Sequence, residues 1–303
     1  MINSRRRFLA VFATAALSGS ARTSPMTQHR FYALGTEAQI TLVGGSNRQA
    51  HAALIACEQE VRAIEKAFSL YDPDSMLSHL NRDGHITNDE RFFKLLRHAL
   101  DMAKATNGAF DPTIQPLWQA LVLGGNLQEA RRLIGWGGLL LTPQATHFAQ
   151  PKMAVSLNGI AQGYAADRVS AILAHHGFQD TLADLGEFAI RGAKPDGPWT
   201  LGIRAPLTGS IIVRIEPVGA IATSEPGSML IAGRAHIVDP LERKGERWSS
   251  VTVEAQEAWR ADALSTAIAA SPVKETEHLL ANGEASRAWL IAASGKLREW
   301  SSS

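Results

Sequence analysis

Apolar residues recur at helical spacing through the first third of the chain. Leu54, Cys57, Val61, Ile64 and Phe68 step by alternate threes and fours, which lines them along one stripe of a helix. Cys57 sits on that stripe and reads as a core residue rather than a nucleophile. A second helix is expected from Thr87, with Glu90 completing a capping box and Phe92, Leu95, Leu96, Ala99 and Ala103 forming its stripe. Asn107-Gly108 ends it. Between the two helices, residues 69–86 are polar and carry Asp72-Pro73 and Asp83-Gly84, the marks of a loop.

Period-two alternation appears before the first helix. Ala38, Ile40 and Leu42 face one way and Gln39 and Thr41 the other, so residues 31–43 read as one half-buried strand closed by Gly44-Gly45. Residues 121–151 form a small insertion with a short helix over 127–133. A strand at 153–157 leads through a Gly-containing turn into a helix over 162–175, ended by Gly177. Strands then crowd together at 181–183, 188–191, 199–204, 211–215, 218–222, 236–238, 251–253 and 288–292. Ala258 to Ala270 is Ala-rich and stopped by Pro272, which predicts a last helix. Helices come early and strands later, so the fold class is α+β: a single compact domain with a mixed or antiparallel sheet and packed helices.

Composition narrows the function. The 303 residues are 45% hydrophobic and 19% charged, ordinary for a globular protein, with a formal net charge of +1. That balance implies no nucleic-acid partner. One cysteine excludes an internal disulfide framework and a multi-cysteine metal site. The run Ser4-Arg-Arg-Arg-Phe8-Leu9 is a twin-arginine export pattern, followed by an apolar stretch from Leu9 to Leu17 and by small residues at Gly19-Ser20-Ala21. Residues 1–21 are therefore expected to be a cleaved signal, and residues 22–303 a domain working in the bacterial periplasm. No later stretch is long and apolar enough for a transmembrane helix.

Five blocks carry candidate chemistry. Asp262 and Thr266 lie four apart on the last predicted helix and share a face, a half-site for an oxygen-loving cation such as Mg²⁺; such a pair is more often merely solvated. Tyr71 stands in the polar loop after the first helix, either stacking on a planar ligand or closing the core edge. Asp111 opens an extended loop fixed by Pro112 and Pro116, where its free carboxylate could accept from a ring N–H or a ribose hydroxyl, or where Asp111-Pro112 is simply a turn. Ser156-Leu-Asn158-Gly159-Ile-Ala-Gln162 runs from strand to helix and would aim backbone amides at an anion, though it is neither a Walker loop nor a dinucleotide fingerprint. His236, before the Asp239-Pro240 turn, is placed to act as a general base or is simply structural. No Gly-x-Ser-x-Gly elbow and no His-Glu-x-x-His motif occurs.

In this order the blocks resemble the ApbE family of FAD:protein FMN transferases. The carrying strings are Ala33-Leu-Gly-Thr36, Tyr71-x-Pro-x-Ser-x-Leu-Ser with Asn81, Ala109-Phe-Asp-Pro-Thr113, Asn158-Gly-Ile-Ala-x-Gly-Tyr-Ala165, His236-Ile-Val-Asp-Pro240 and Asp262-Ala-Leu-Ser-Thr266. The resemblance implies an enzyme that binds FAD and Mg²⁺, passes FMN to a threonine hydroxyl of a target flavoprotein, and releases AMP. It implies metal ligation by Asp262, Thr266 and the Gly159 carbonyl, and a base at His236. Flavin or phosphate contacts fall on Leu34, Tyr71, Ala109, Phe110, Asp111, Ser156, Gln162 and Ile237. The implied targets are subunits of membrane electron-transfer complexes or the regulator of nitrous-oxide reductase.

Four places depart from the family pattern. Ser156 stands where the family usually has an aspartate, and Gln162 where it has a lysine. Leu241-Glu-Arg-Lys replaces the usual Arg-Thr-Gly, and Glu225-Pro226 replaces a commoner glycine. Losing one negative and one positive charge on the same loop leaves the local charge unchanged. Two other readings stay open: an FAD pyrophosphatase using water as acceptor, and a flavin-binding assembly protein without catalysis.

Overall fold

The computed structural model describes residues 9–11, 25–231 and 233–302. Chain order begins with β1 (Leu9–Val11), β2 (Met26–Ala33), β3 (Thr36–Val43), α1 (Asn47–Phe68), α2 (Met76–Asp83), β4 (His85–Thr87) and α3 (Glu90–Ala105). The middle of the chain forms α4 (Gln115–Leu123), α5 (Leu127–Arg131), β5 (Leu139–Leu141), β6 (Ala145–Phe148), α6 (Ala161–His175), β7 (Thr181–Asp184) and β8 (Phe188–Arg191). Then come β9 (Leu201–Arg204), β10 (Ile211–Ile215), β11 (Ala220–Ser224), β12 (Leu230–Ile231), β13 (Arg234–Ala235) and β14 (Ser250–Ala255). The chain closes with α7 (Ala258–Ala270), α8 (Thr276–Asn282), β15 (Arg287–Ile291) and β16 (Leu297–Ser301).

An eight-stranded sheet in the order β16-β15-β14-β11-β8-β7-β3-β2 organises the molecule, and its pairings are antiparallel. Both faces are covered, and on the central strands β7, β8 and β11 side-chain size sorts by face. Ala183, Ala189, Ala220 and Ala222 belong to the core that contains the helices. Their neighbours Leu182, Ile190 and Ile221 belong to the opposite core, beneath the small β1-β9-β10 sheet. Small residues on the helical side let α6 and α7 lie close on the sheet; large residues fill the other side. This α+β arrangement is the fold class expected from the sequence.

The two-sided cover explains where the alternation misleads. Residues 31–43 are not one half-buried strand. Leu34 and Gly35 take φ of 52° and 74°, the two positive values of a tight hairpin turn, and the strand divides into β2 and β3. Gln39 and Thr41 are buried along with the apolar positions and bond each other. The loop expected over 69–86 contains α2, capped by the Ser75 hydroxyl accepting from Ser78 N; its two buried leucines are too few to show a stripe. The helix expected from Thr87 starts later: Asp89 is its cap, accepting from Phe92 N, and Thr87 belongs to β4.

Cys57 is fully buried, and burial pushes its thiol up to about 12. The native protein should therefore resist iodoacetamide at neutral pH, because the thiolate is the nucleophile. Denatured protein should be alkylated fully; equal labelling of both by mass spectrometry would contradict the packing described.

Of the expected signal, only Leu9–Val11 lies among the described residues. It pairs antiparallel with β9, and Leu9 packs into the core beneath the small sheet. The twin-arginine residues at 5–6 and the small-residue stretch at 19–21 lie outside the described residues. No described helix is long and apolar enough to cross a membrane.

Candidate functional site

Two buried helices meet at glycine. A Cβ on Gly163 of α6 would lie 2.2 Å from the Ala258 carbonyl oxygen of α7, so only glycine permits this approach. Two polar ties use it. Gly163 N donates to Asp262 Oδ2 at 3.0 Å. Asp167, one turn further along α6, accepts from Ala258 N at 2.8 Å and Trp259 N at 2.9 Å. The first amides of α7 thus have a carboxylate partner, as helix starts require, and α7 is fixed lengthwise against α6. Burial pushes the Asp167 carboxyl up to about 7, against those two amides, which favour its charged form.

Oxygen atoms gather one turn beyond. Asp262 is 4% exposed, and Thr266 shares its face of α7. A Cβ on Gly159 would meet Thr266 Oγ1 at 2.9 Å, so the 159 backbone and the Thr266 hydroxyl face each other directly. Ser224, the last residue of β11, bonds Ser265 Oγ at 2.8 Å and Thr266 Oγ1 at 3.3 Å. A carboxylate and a hydroxyl on one face of α7, with the 159 backbone against them, offer hard oxygen donors, suited to Mg²⁺ and ill suited to a soft metal. Among the described residues no three His, Cys, Asp or Glu side chains form a metal cage, so a cation here would depend on this mixed set.

His236 is held by the chain that follows β11. Its Nδ1 lies 3.2 Å from both the Pro226 and the Met229 carbonyl oxygens. A ring nitrogen facing two acceptors carries the proton, which leaves Nε2 as the basic nitrogen. Pro226 is two residues beyond Ser224, so the histidine is tied to the backbone that flanks the oxygen cluster. The 236–238 segment is no strand: the ladder stops at Ala235.

Gln162 and Leu34 come together on the other side of the α6 start. Gln162 Nε2 donates to the Leu34 carbonyl at 3.4 Å, and the side chain lies where a Gly186 Cβ would be, 2.6 Å from its Nε2. Leu34 N donates to Glu65 Oε1 at 2.5 Å, which holds this leucine in its positive-φ turn. Sequence distance hid the pairing; 128 residues separate the two.

Tyr71 is 82% exposed and does not close the core edge. With Trp118, Val122 and Leu123 of α4 it walls a groove of about 190 Å³ that opens beside Asn158. The groove is mostly apolar, and Asn158, which lines it, precedes Gly159 in the chain. Trp118, Gln115 and Val122 were missed in the sequence. The signal was there: 115, 118, 119 and 122 fall on one helical face, but Pro116 argued for an extended loop.

Other expected contacts are placed differently. Pro112–Ile114 is a 3₁₀ turn leading into α4, because Pro116 sits at a helix start, where its missing N–H costs nothing. The Asp111 carboxylate is not free: Oδ1 accepts from Thr113 N and Oγ1, and Oδ2 from Trp136 N. Burial raises this carboxyl above the usual range. Ala109 and Phe110 are buried in the main core, so their side chains pack rather than present themselves to a ligand. Ile237 is partly buried against the same core. Residues 153–157 are extended but form no strand, because Asn81 takes both backbone groups of Val155, at 2.9 and 2.7 Å. Ser156 N donates to Pro112 O at 2.8 Å, joining the Asp111 turn to the 156–159 loop.

The departure after Pro240 is repaired locally. Arg243 folds back onto Asp239 with Nη2–Oδ1 3.0 Å and Nε–Oδ2 3.1 Å, the bidentate geometry that arginine favours. Arg247 adds a contact at 3.2 Å, and Arg131 pairs with Glu242.

Comparison with known proteins places the chain in a family. The ApbE family matches residues 34–290. An FAD:protein FMN transferase of Haemophilus influenzae is 25% identical, over 84% of this chain and 80% of that protein. Another, of Rhodobacter capsulatus, is 24% identical over 87% of this chain, which spans 55% of that longer protein. Among solved structures, the flavin transferase ApbE from Vibrio cholerae superposes with a TM-score of 0.81 at 22% identity, over 92% of this chain and 98% of that one. The ApbE protein from Thermotoga maritima gives 0.79 at 26% identity, over 90% and 96%.

Proposed function

The chain belongs to the ApbE family, and we propose that it moves FMN from FAD to a threonine hydroxyl of a target flavoprotein, releasing AMP. The observation that carries this reading is the oxygen cluster of Asp262, Thr266 and the 159 backbone beside an exposed aromatic groove. Curated relatives over most of the chain are FAD:protein FMN transferases.

In the proposed reaction the isoalloxazine lies in the groove against Tyr71 and Trp118, where ring stacking holds it. The pyrophosphate then reaches Asn158, Gly159 and the start of α6. Asp262, Thr266 and the Gly159 carbonyl would hold Mg²⁺, which supplies neutralisation of negative charge on the phosphoryl oxygens. His236 Nε2 takes the proton from the threonine hydroxyl, a poor nucleophile at neutral pH. The threonine oxygen bonds to the FMN-side phosphorus. The bond from that phosphorus to the bridging oxygen breaks, and AMP leaves with that oxygen.

We also propose a periplasmic site of action, with residues 1–21 as its twin-arginine signal. Targets in electron-transfer complexes or the nitrous-oxide reductase regulator fit that compartment.

The test incubates the mature chain with FAD, Mg²⁺ and a periplasmic flavin-acceptor domain, then follows covalent flavin fluorescence on a denaturing gel and AMP in parallel. Labelled acceptor with AMP supports the transferase. AMP without labelling, for several acceptor domains, would favour the pyrophosphatase; bound FAD with no products would favour an assembly protein.

The Ser156/Gln162 pair gives a second prediction. Gln162→Lys alone should leave FAD affinity within about threefold, a change under ~1 kcal/mol. The new ammonium would have no aspartate at 156 and would lose the bond to the Leu34 carbonyl. Restoring both, Ser156→Asp with Gln162→Lys, should tighten FAD binding more than either change alone. A sharp gain from Gln162→Lys by itself, measured by fluorescence quenching, would show that the two departures do not compensate.

A further inference from the structure

We propose that His85 and His147 form a second metal site, open and bidentate, for a borderline divalent ion, with Cu²⁺ bound most tightly. The two residues face each other directly across β4 and β6. Phe148 N donates to Gly84 O and Asn88 N to Gln144 O. Those bonds flank the pair and alternate along the ladder, so 85/147 is a non-hydrogen-bonded pair, the closer of the two kinds, with Cα atoms about 4.5 Å apart. Both side chains stand on the same face and both are exposed. Their rings are nearly parallel, 12° apart, with centroids 6.2 Å apart.

His85 Nδ1 lies 3.1 Å from the Asp83 carbonyl oxygen. That contact places the proton on Nδ1 and leaves Nε2 as the basic nitrogen, the arrangement by which metal-binding histidines are oriented. An ion bound by both would sit about 2 Å from each nitrogen, which the rings reach by tilting toward each other. Two imidazoles leave the remaining positions to water. Such a site suits ions that prefer nitrogen, in the order Cu²⁺ above Ni²⁺ and Zn²⁺. Mg²⁺ prefers oxygen ligands and would not compete, so this site is chemically separate from the oxygen cluster at Asp262. Bound metal would clip β4, an edge strand of the β4-β6-β5 sheet, to its centre strand and stabilise the segment by mass action.

The test uses tag-free full chain in excess Mg²⁺. Cu²⁺ is titrated calorimetrically, and Cu²⁺ electron paramagnetic resonance counts the coordinating nitrogens. The expected result is one tight site with two imidazole nitrogens, weakened at least ~10-fold by either His85→Ala or His147→Ala and unchanged by His278→Ala, an exposed control. Both site variants are surface changes, and circular dichroism checks that they fold. Unaltered affinity in either site variant, a single coordinating imidazole, or equal weakening by His278→Ala would overturn the proposal.

Discussion

Asp262→Ala should lower the rate of flavin transfer by about 10²–10⁴-fold, the usual cost of removing a group that stabilises transition-state charge. Asp262 does two things. Its carboxylate is the one anionic oxygen of the Gly159–Asp262–Thr266 cluster, and its Oδ2 accepts from Gly163 N. Alanine loses both and leaves a buried N–H without its acceptor, a further cost of about 1–3 kcal/mol in stability. Asp262→Asn separates the two roles. Its amide oxygen can still accept from Gly163 N, so the unfolding midpoint should stay close to that of the parent. Its charge is gone, so transfer should still fall. If Asp262→Asn kept full activity, the carboxylate would not be a metal ligand.

Gly163→Ala should unfold the protein more readily than any surface change, by about 3 kcal/mol or more. Alanine improves helix propensity by about 1 kcal/mol over glycine. Here the new methyl would lie 2.2 Å from the Ala258 carbonyl oxygen and 2.8 Å from Trp259 Cα. Those atoms are backbone and cannot swing aside, so α7 would have to move, and overpacking of this kind outweighs the propensity gain. Urea unfolding should show a lower midpoint, and any folded fraction should have lost activity, because shifting α7 also moves Asp262 and Thr266. A midpoint equal to the parent's would contradict the close approach of α6 and α7.

Features set by local rules are legible in the sequence. The Ala-rich run stopped by Pro272 gave the bounds of α7, and four-residue spacing put Asp262 and Thr266 on one face. The apolar stripe of α1 was legible because one face of that helix is solvated. Where both faces are covered, as on β3, alternation loses its meaning, and the break at Leu34-Gly35 was hidden by a leucine at positive φ. Asp111 looked free because its partners are a turn and Trp136, 25 residues away. The groove at Tyr71 combines a loop with α4 and depends on a tertiary contact that no spacing records. The α6–α7 contact is legible only in retrospect, as a glycine inside a helix that has no turn to make.

The most direct measurement is the intact mass of a periplasmic flavin-acceptor domain after incubation with this protein, FAD and Mg²⁺. The proposed reaction predicts a gain equal to FMN less one water, located on a threonine by fragmentation, with AMP formed in equal amount and both lost in Asp262→Asn. An acceptor of unchanged mass, while FAD is still cut to FMN and AMP, would contradict transfer and leave hydrolysis as the reaction of this site.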